Sequence, residues 1–230
     1  MNKRKIFIAC DTTNHKIFSK ILKQSKSNKI KIGYKVGLEF FLSPKGREFT
    51  SKLKNKEIFL DLKLNDIPNT CGAAILALKD LKNISYLTVH SSGGLEMLKK
   101  VKRSAKKINK KLKILGVTIL TSFSNSSIKK IGHTKSIKEL VKKQANLAKL
   151  AKLDGIVCSG HEVKYLKKIC KNMEIITPGI RLQGDAKGDQ KRVMTPKQAF
   201  QNGATSIVVG RSVTKGNIKN NIQKLIKSLN

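Results

Sequence analysis

Glu57-Ile58-Phe59-Leu60-Asp61-Leu62-Lys63-Leu64-Asn65-Asp66-Ile67-Pro68-Asn69-Thr70 reads as an apolar strand that ends in three closely spaced charges. Strand side chains alternate with a period of two, so Asp61 and Lys63 share one side while Leu60, Leu62 and Leu64 share the other. One side is ionic and the other oily. Pro68 suits the first turn of a helix, which puts Asp66 at or near the N-cap. A lone D-x-K is most simply a structural ion pair beside a capping aspartate, but this one has company. Lys35 closes the strand-like run 30–36, and Asp11 follows the run 6–10. Charges at the carboxyl ends of several strands define a site.

Working outward, eight strand-like runs appear: 6–10, 31–36, 58–62, 85–90, 114–120, 155–158, 175–178 and 206–210. They are short and almost continuously apolar, as strands covered on both faces are. Amphipathic helical stretches separate them. Leu140, Val141, Gln144, Leu147, Ala148 and Ala151 recur at helical spacing, as do Ile218, Ile222, Leu225, Ile226 and Leu229. Eightfold alternation of strand and helix predicts an α/β (β/α)8 TIM barrel, with catalytic residues at the carboxyl ends of the strands. A doubly wound sheet is the alternative, but no G-x-G-x-x-G follows the first strand. The 230 residues suit one barrel or two small domains. Without a linker, low-complexity tract or repeat, a single domain over 1–230 is expected.

In such a barrel Asp11, Lys35, Asp61, Lys63, His90, Thr121 and Arg211 fall on one rim. The last two loops add a second chemistry. The seventh strand runs into Thr177-Pro-Gly-Ile-Arg181 and then a long, glycine-bearing loop through Gln190 to Arg192, and the eighth ends in Gly210-Arg211. Loops after strands seven and eight often hold phosphate through backbone N–H groups, and arginine offers a forked donor. A phosphate-bearing substrate follows, with the charged cluster across the barrel mouth from its phosphate.

The net charge of +35 raises the question of a nucleic-acid partner. Only six of the 49 basic residues are arginine, and lysines cover nearly every predicted helix. The densest run, 99–113, holds nine basic residues and no aromatic to stack on a base. A solvated lysine coat is expected, with no specific nucleic-acid partner. No segment reaches the ~20 apolar residues of a membrane span, and the apolar run at the amino terminus is short and broken by Asp11. Cys10, Cys71, Cys158 and Cys170 form no C-x-x-C pair and no metal-ligand spacing with histidine. They read as reduced apolar fillers in a soluble cytoplasmic protein.

Taken together, these residues resemble orotidine 5′-phosphate decarboxylases along the whole chain. The resemblance is carried by Asp11, Tyr-Lys35-Val-Gly-Leu-Glu, Asp61-x-Lys63-x-x-Asp66-Ile-Pro-Asn-Thr70, Val-His90-x-Ser-Gly-Gly, Val-Thr-Ile-Leu-Thr121-Ser, Thr-Pro-Gly-Ile-Arg181, Gly-Asp-Gln190 and Gly210-Arg211. It implies conversion of orotidine 5′-phosphate to uridine 5′-phosphate, the last step of de novo UMP synthesis, without a cofactor. It also implies that Lys35, Asp61, Lys63 and Asp66 form an alternating charge network, with Asp66 and Thr70 reaching into the partner's site of a homodimer. Asp11 and Lys35 would hold the ribose hydroxyls, Thr121 would sit by the pyrimidine, and Arg181, Gln190, Gly210 and Arg211 would surround the phosphate. Asn65 departs from the histidine of many relatives, at a position outside the network.

In this scheme Lys63 is the acid, its charged form favoured by Asp61 and Asp66. Two rivals remain at this level. A magnesium-dependent sugar-phosphate decarboxylase or hexulose-phosphate synthase shares D-x-K-x-x-D, but places an acidic metal ligand near the second strand's end, where Glu39 is the only acid here and Lys35 precedes it. A basic nucleic-acid-binding barrel without activity would have no use for the charge network.

Overall fold

The computed structural model describes residues 3–186 and 192–229. In chain order it runs β1 (Lys5–Ala9), α1 (His15–Gln24), β2 (Lys31–Gly37), α2 (Leu38–Phe41), α3 (Gly46–Ser51), β3 (Ile58–Leu64), α4 (Pro68–Leu76), β4 (Ile84–His90) and α5 (Gly94–Ile108). It continues with β5 (Lys113–Val117), α6 (Asn125–Lys130), α7 (Ile137–Leu150), β6 (Gly155–Val157), α8 (Val163–Ile169), β7 (Glu174–Thr177), α9 (Pro196–Gln201), β8 (Ser206–Val209), α10 (Arg211–Thr214) and α11 (Ile218–Lys227). Neighbouring strands pair in parallel, and β8 pairs with β1 to close the barrel in simple sequential order. The eightfold alternation read from the sequence is this topology.

Two packed layers explain why the strands look apolar throughout. Phe7, Ala9, Phe59, Tyr86, Leu115, Val117, Val157, Ile176 and Val208 fill the inside of the barrel, while Ile6, Ile8, Val36, Leu60 and Leu87 face the helices. Each strand thus buries both faces. The helices answer with one stripe apiece. α5 buries Met97, Leu98, Val101 and Ala105, and α11 buries Ile218, Ile222 and Leu225. The lysines lie on their other faces, as a solvated coat requires. Within the barrel, Phe7 meets Phe59 and Tyr86 edge to face at 5.2 and 5.3 Å.

The amino-terminal end of the barrel is closed by charge. Lys5 reaches Glu57 at 2.7 Å and donates to the Tyr86 hydroxyl at 2.8 Å. That hydroxyl donates to the Glu174 carboxylate at 3.1 Å, which also pairs with Lys113. Lys5 and Lys113 further lie over the Tyr86 ring, so the plug is held by ion pairs and cation–π contact together.

Two local expectations shift. The fifth strand ends at Val117, short of residue 120, because the chain turns there into the loop bearing Thr121. Cys10 and Cys158 lie just beyond their strands, buried and unpaired, as apolar fillers are. Asp66 stands near the cap of α4, as expected: Ile67 is the N-cap, Pro68 opens the helix, and the Asp66 carboxylate accepts the Ile67 N–H one residue before it.

Candidate active site

β2 and β3 deliver the charges. Their register places Lys35 beside Phe59 and Gly37 beside Asp61. Gly37 matters through the atom it lacks: a Cβ there would stand 3.2 Å from both the Asp11 carboxylate and the Lys35 ammonium. That gap lets Lys35 meet Asp11 at 2.9 Å and Asp61 at 3.5 Å. Asp61 in turn meets Lys63 at 2.8 Å. Four side chains of alternating sign therefore run across the barrel mouth.

Lys63 reaches this line from an irregularity within β3. β3 slips relative to β4 between Leu60 and Leu64, and Lys63 takes a φ of 50°. A left-handed conformation costs a non-glycine residue roughly 1–2 kcal/mol. Thr88 on β4 holds it there. Its buried hydroxyl accepts the Lys63 N–H at 2.9 Å and donates to Asp61 at 2.8 Å. One hydroxyl thus fixes both the lysine backbone and the carboxylate.

Electrostatics follow from the pairing. Burial opposes the Lys35 ammonium, but the carboxylates of Asp61 and Asp11 outweigh it and raise its pKa above the ordinary lysine value. Burial likewise opposes ionised Asp61, and Lys35 with Lys63 more than offsets that, holding its carboxyl below the usual aspartate range. His90, at the end of β4, is pushed down by burial and by the Lys63 ammonium. Lys35 and Asp61 are thus each held in the charged form near neutral pH.

A cavity of about 600 Å³ opens above this line. Asp11, Lys35, Asp61, Lys63, Thr121, Arg181, Gly210 and Arg211 all line it, over a floor of Ala9, Phe59, Val117, Val157 and Val208. Arg181 is buried across the mouth from the charged line, donating to the carbonyls of Ile180 at 2.9 Å and Ala186 at 3.2 Å. Its turn depends on Gly179, whose φ of 75° favours glycine. Met194 secures the turn: its N–H donates to Gly179 O at 3.1 Å, and its carbonyl accepts from the Arg181 N–H at 3.0 Å.

Two sequence-derived candidates lie elsewhere on this chain. Asp66 and Thr70 are exposed and do not line its cavity, and Asp66 has no ion pair among the described residues. Gln190 falls outside the described residues. Thr88, Ser122 and Cys158 were missed, although the last two line the cavity. Thr88 carried a signal in its register: Tyr86 faces the barrel interior, so the residue two places on must do so as well. Threonine is so ordinary in strands that its hydroxyl drew no notice.

Residues 4–224 match the family model described as orotidine 5′-phosphate decarboxylase / HUMPS family. The chain belongs to that family. A relative from Wolbachia (Brugia malayi strain TRS), named orotidine 5′-phosphate decarboxylase, is 46% identical over 199 residues, 85% of this chain and 86% of its own. One from Fusobacterium nucleatum with the same name is 40% identical over 99% of this chain and 96% of its own. The crystal structure of the Lactobacillus acidophilus orotidine 5′-phosphate decarboxylase superposes with a TM-score of 0.84 at 33% identity, covering 99% of this chain and all of the other. Family membership agrees with the barrel.

Proposed function

We propose that the protein decarboxylates orotidine 5′-phosphate to uridine 5′-phosphate in pyrimidine biosynthesis, through the Asp11–Lys35–Asp61–Lys63 line and without a metal. The observation that carries this reading is that line itself, facing Arg181 and Arg211 across one cavity. The relatives' shared name supports the same substrate.

Breaking the C6–CO2 bond leaves an electron pair in an in-plane ring orbital, which the ring carbonyls cannot absorb. The carbanion must be stabilised where it forms, by a preorganised charge. The Lys63 ammonium supplies it and then gives its proton to C6. Asp61 holds that ammonium, Lys35 holds Asp61, and Asp11 with Lys35 receives the ribose hydroxyls. Thr121 faces the pyrimidine, while Arg181, Arg211, the backbone at Gly210 and Gln190 take the phosphate. Binding energy at the phosphate is thereby available at C6.

The metal-dependent rival fits less well. Its acid, Glu39, is exposed on α2 and is not among the residues lining the cavity, and the carboxylates that do line it are already paired with lysines.

The active form in this reading is a homodimer of single-domain chains, 1–230, in the cytoplasm. Asp66 and Thr70 reach into the neighbouring site. Exposure of Asp66 and Thr70 supports it, as do the bare side chains of Ile67, Leu38 and Leu42, which are 66%, 46% and 73% exposed on the same rim.

The test is the ultraviolet absorbance change of orotidine 5′-phosphate with purified protein in excess chelator. Conversion to uridine 5′-phosphate that disappears in Lys63→Ala is expected. Turnover confined to sugar phosphates with Mg2+ would refute the reading.

A further inference from the structure

Buried Glu162 and half-buried Arg192 form an ion pair outside the charged line, and the reaction makes no use of either charge. Glu162 is 3% exposed at the start of α8. One of its carboxylate oxygens pairs with the Arg192 guanidinium, and the other accepts the Ser159 N–H at 3.0 Å. Arg192 also donates to Leu120 O at 3.1 Å and approaches Ile119 O at 3.4 Å, in the segment leading to Thr121. Two residues further on, Met194 forms the bridge that holds Gly179 and Arg181. A single ion pair is therefore joined to the ends of β5 and β6 and to the turn after β7.

Isolated buried pairs are poor sources of stability, because desolvation offsets their attraction. Burial indeed pushes the Glu162 carboxyl up, against the pull of Arg192. A scaffold seeking stability alone would do as well with two apolar side chains here. What apolar side chains could not supply is a forked donor that grips two carbonyls of a neighbouring loop while being held from behind.

We infer that Glu162 and Arg192 are positioning residues that set the spacing between Thr121, on the pyrimidine side of the cavity, and Arg181, on the phosphate side. The pair touches no substrate. It acts through the Ile119–Leu120 carbonyls on one side and the Met194 bridge on the other, so that one substrate of fixed length spans both. The inference rests on the phosphate reading of Arg181 and Arg211.

The test compares the parent with Arg192→Met, the double variant Glu162→Met/Arg192→Met, and Arg211→Ala. Each is assayed for KM and kcat on orotidine 5′-phosphate and for melting temperature. The double variant replaces the pair by apolar side chains of similar reach, a change that is often neutral for folding. It therefore reports on positioning even if Arg192→Met, which strands the carboxylate, fails to fold. The expected result is a KM raised roughly tenfold in the double variant, with kcat within about threefold of the parent, the pattern of lost ground-state alignment. Arg192→Lys, which keeps the charge but not the fork, should recover only part of the loss. A folded double variant with the parental KM would overturn the inference, and so would a fall in kcat at unchanged KM. Arg211→Ala separates the two readings. If its KM is unchanged, the phosphate assignment fails; if its KM rises while that of the double variant does not, only the positioning role fails.

Discussion

Thr88 shows how much one hydroxyl can govern. It binds the backbone of Lys63 and the carboxylate of Asp61 at once, so Thr88→Val should lower kcat about tenfold, as expected when a hydrogen bond to a charged group is lost. Thr88→Ser should restore most of the rate. Equal damage by both variants, measured in the same decarboxylation assay, would assign the effect to packing instead. Asp61 carries a pH signature. Its folded pKa lies below the ordinary value of 3.8, so the stability it contributes is complete above that value and is lost as pH falls through the lower folded one. The melting temperature of Asp61→Asn should therefore trail the parent's near neutrality, and the gap should close as pH falls below 3.8. A gap of constant width would contradict the ion-pair account. The charges Asp11, Lys35, Asp61 and Lys63 were legible in the chain because charge at the end of an apolar run is conspicuous. Their order in space was not, since it depends on the slip of β3 against β4, which no pattern of residue types announces.

At the scale of elements, strands were easier to read than the turns that leave them. Both faces of every strand are buried, so apolar runs located all eight, and only their ends moved. The Gly179 turn is different. Pro178-Gly179 signals a turn in the sequence, yet the bridge from Met194 that makes it rigid joins residues fourteen positions apart. Gly179→Ala should cost about 1–2 kcal/mol through its positive φ, and a domain of this size loses roughly 2–4 °C of melting temperature per kcal/mol. It should also raise KM, because Arg181 follows two residues on. An unchanged melting temperature would mean that the turn relaxes without strain. The start of α4 was legible too: Asp66 stands one residue before the N-cap Ile67, accepts its N–H, and remains exposed at the surface.

For the whole molecule, closure of β8 onto β1 removes free sheet edges and gathers residues from across the chain at one mouth. The exposed Asp66 and Thr70 make the assembly testable by complementation. Lys63→Ala and Asp66→Ala chains, each expected to be inactive, should regain roughly a quarter of parental activity when unfolded and refolded together, because half the dimers are mixed and each mixed dimer has one intact site. No recovery would argue that each chain works alone. The lysine coat adds solubility and a salt-dependent attraction for polyanions, neither of which needs a specific partner. The charged plug of Lys5, Tyr86, Glu174 and Lys113 has another kind of consequence. It lies at the opposite end of the barrel from the chemistry, and free-energy changes at well-separated sites add. Substitutions at the base can therefore raise or lower tolerance to heat while leaving turnover alone, and a variant weakened at the mouth can be rescued from below. The barrel keeps its robustness and its reactivity on separate ends, free to vary independently.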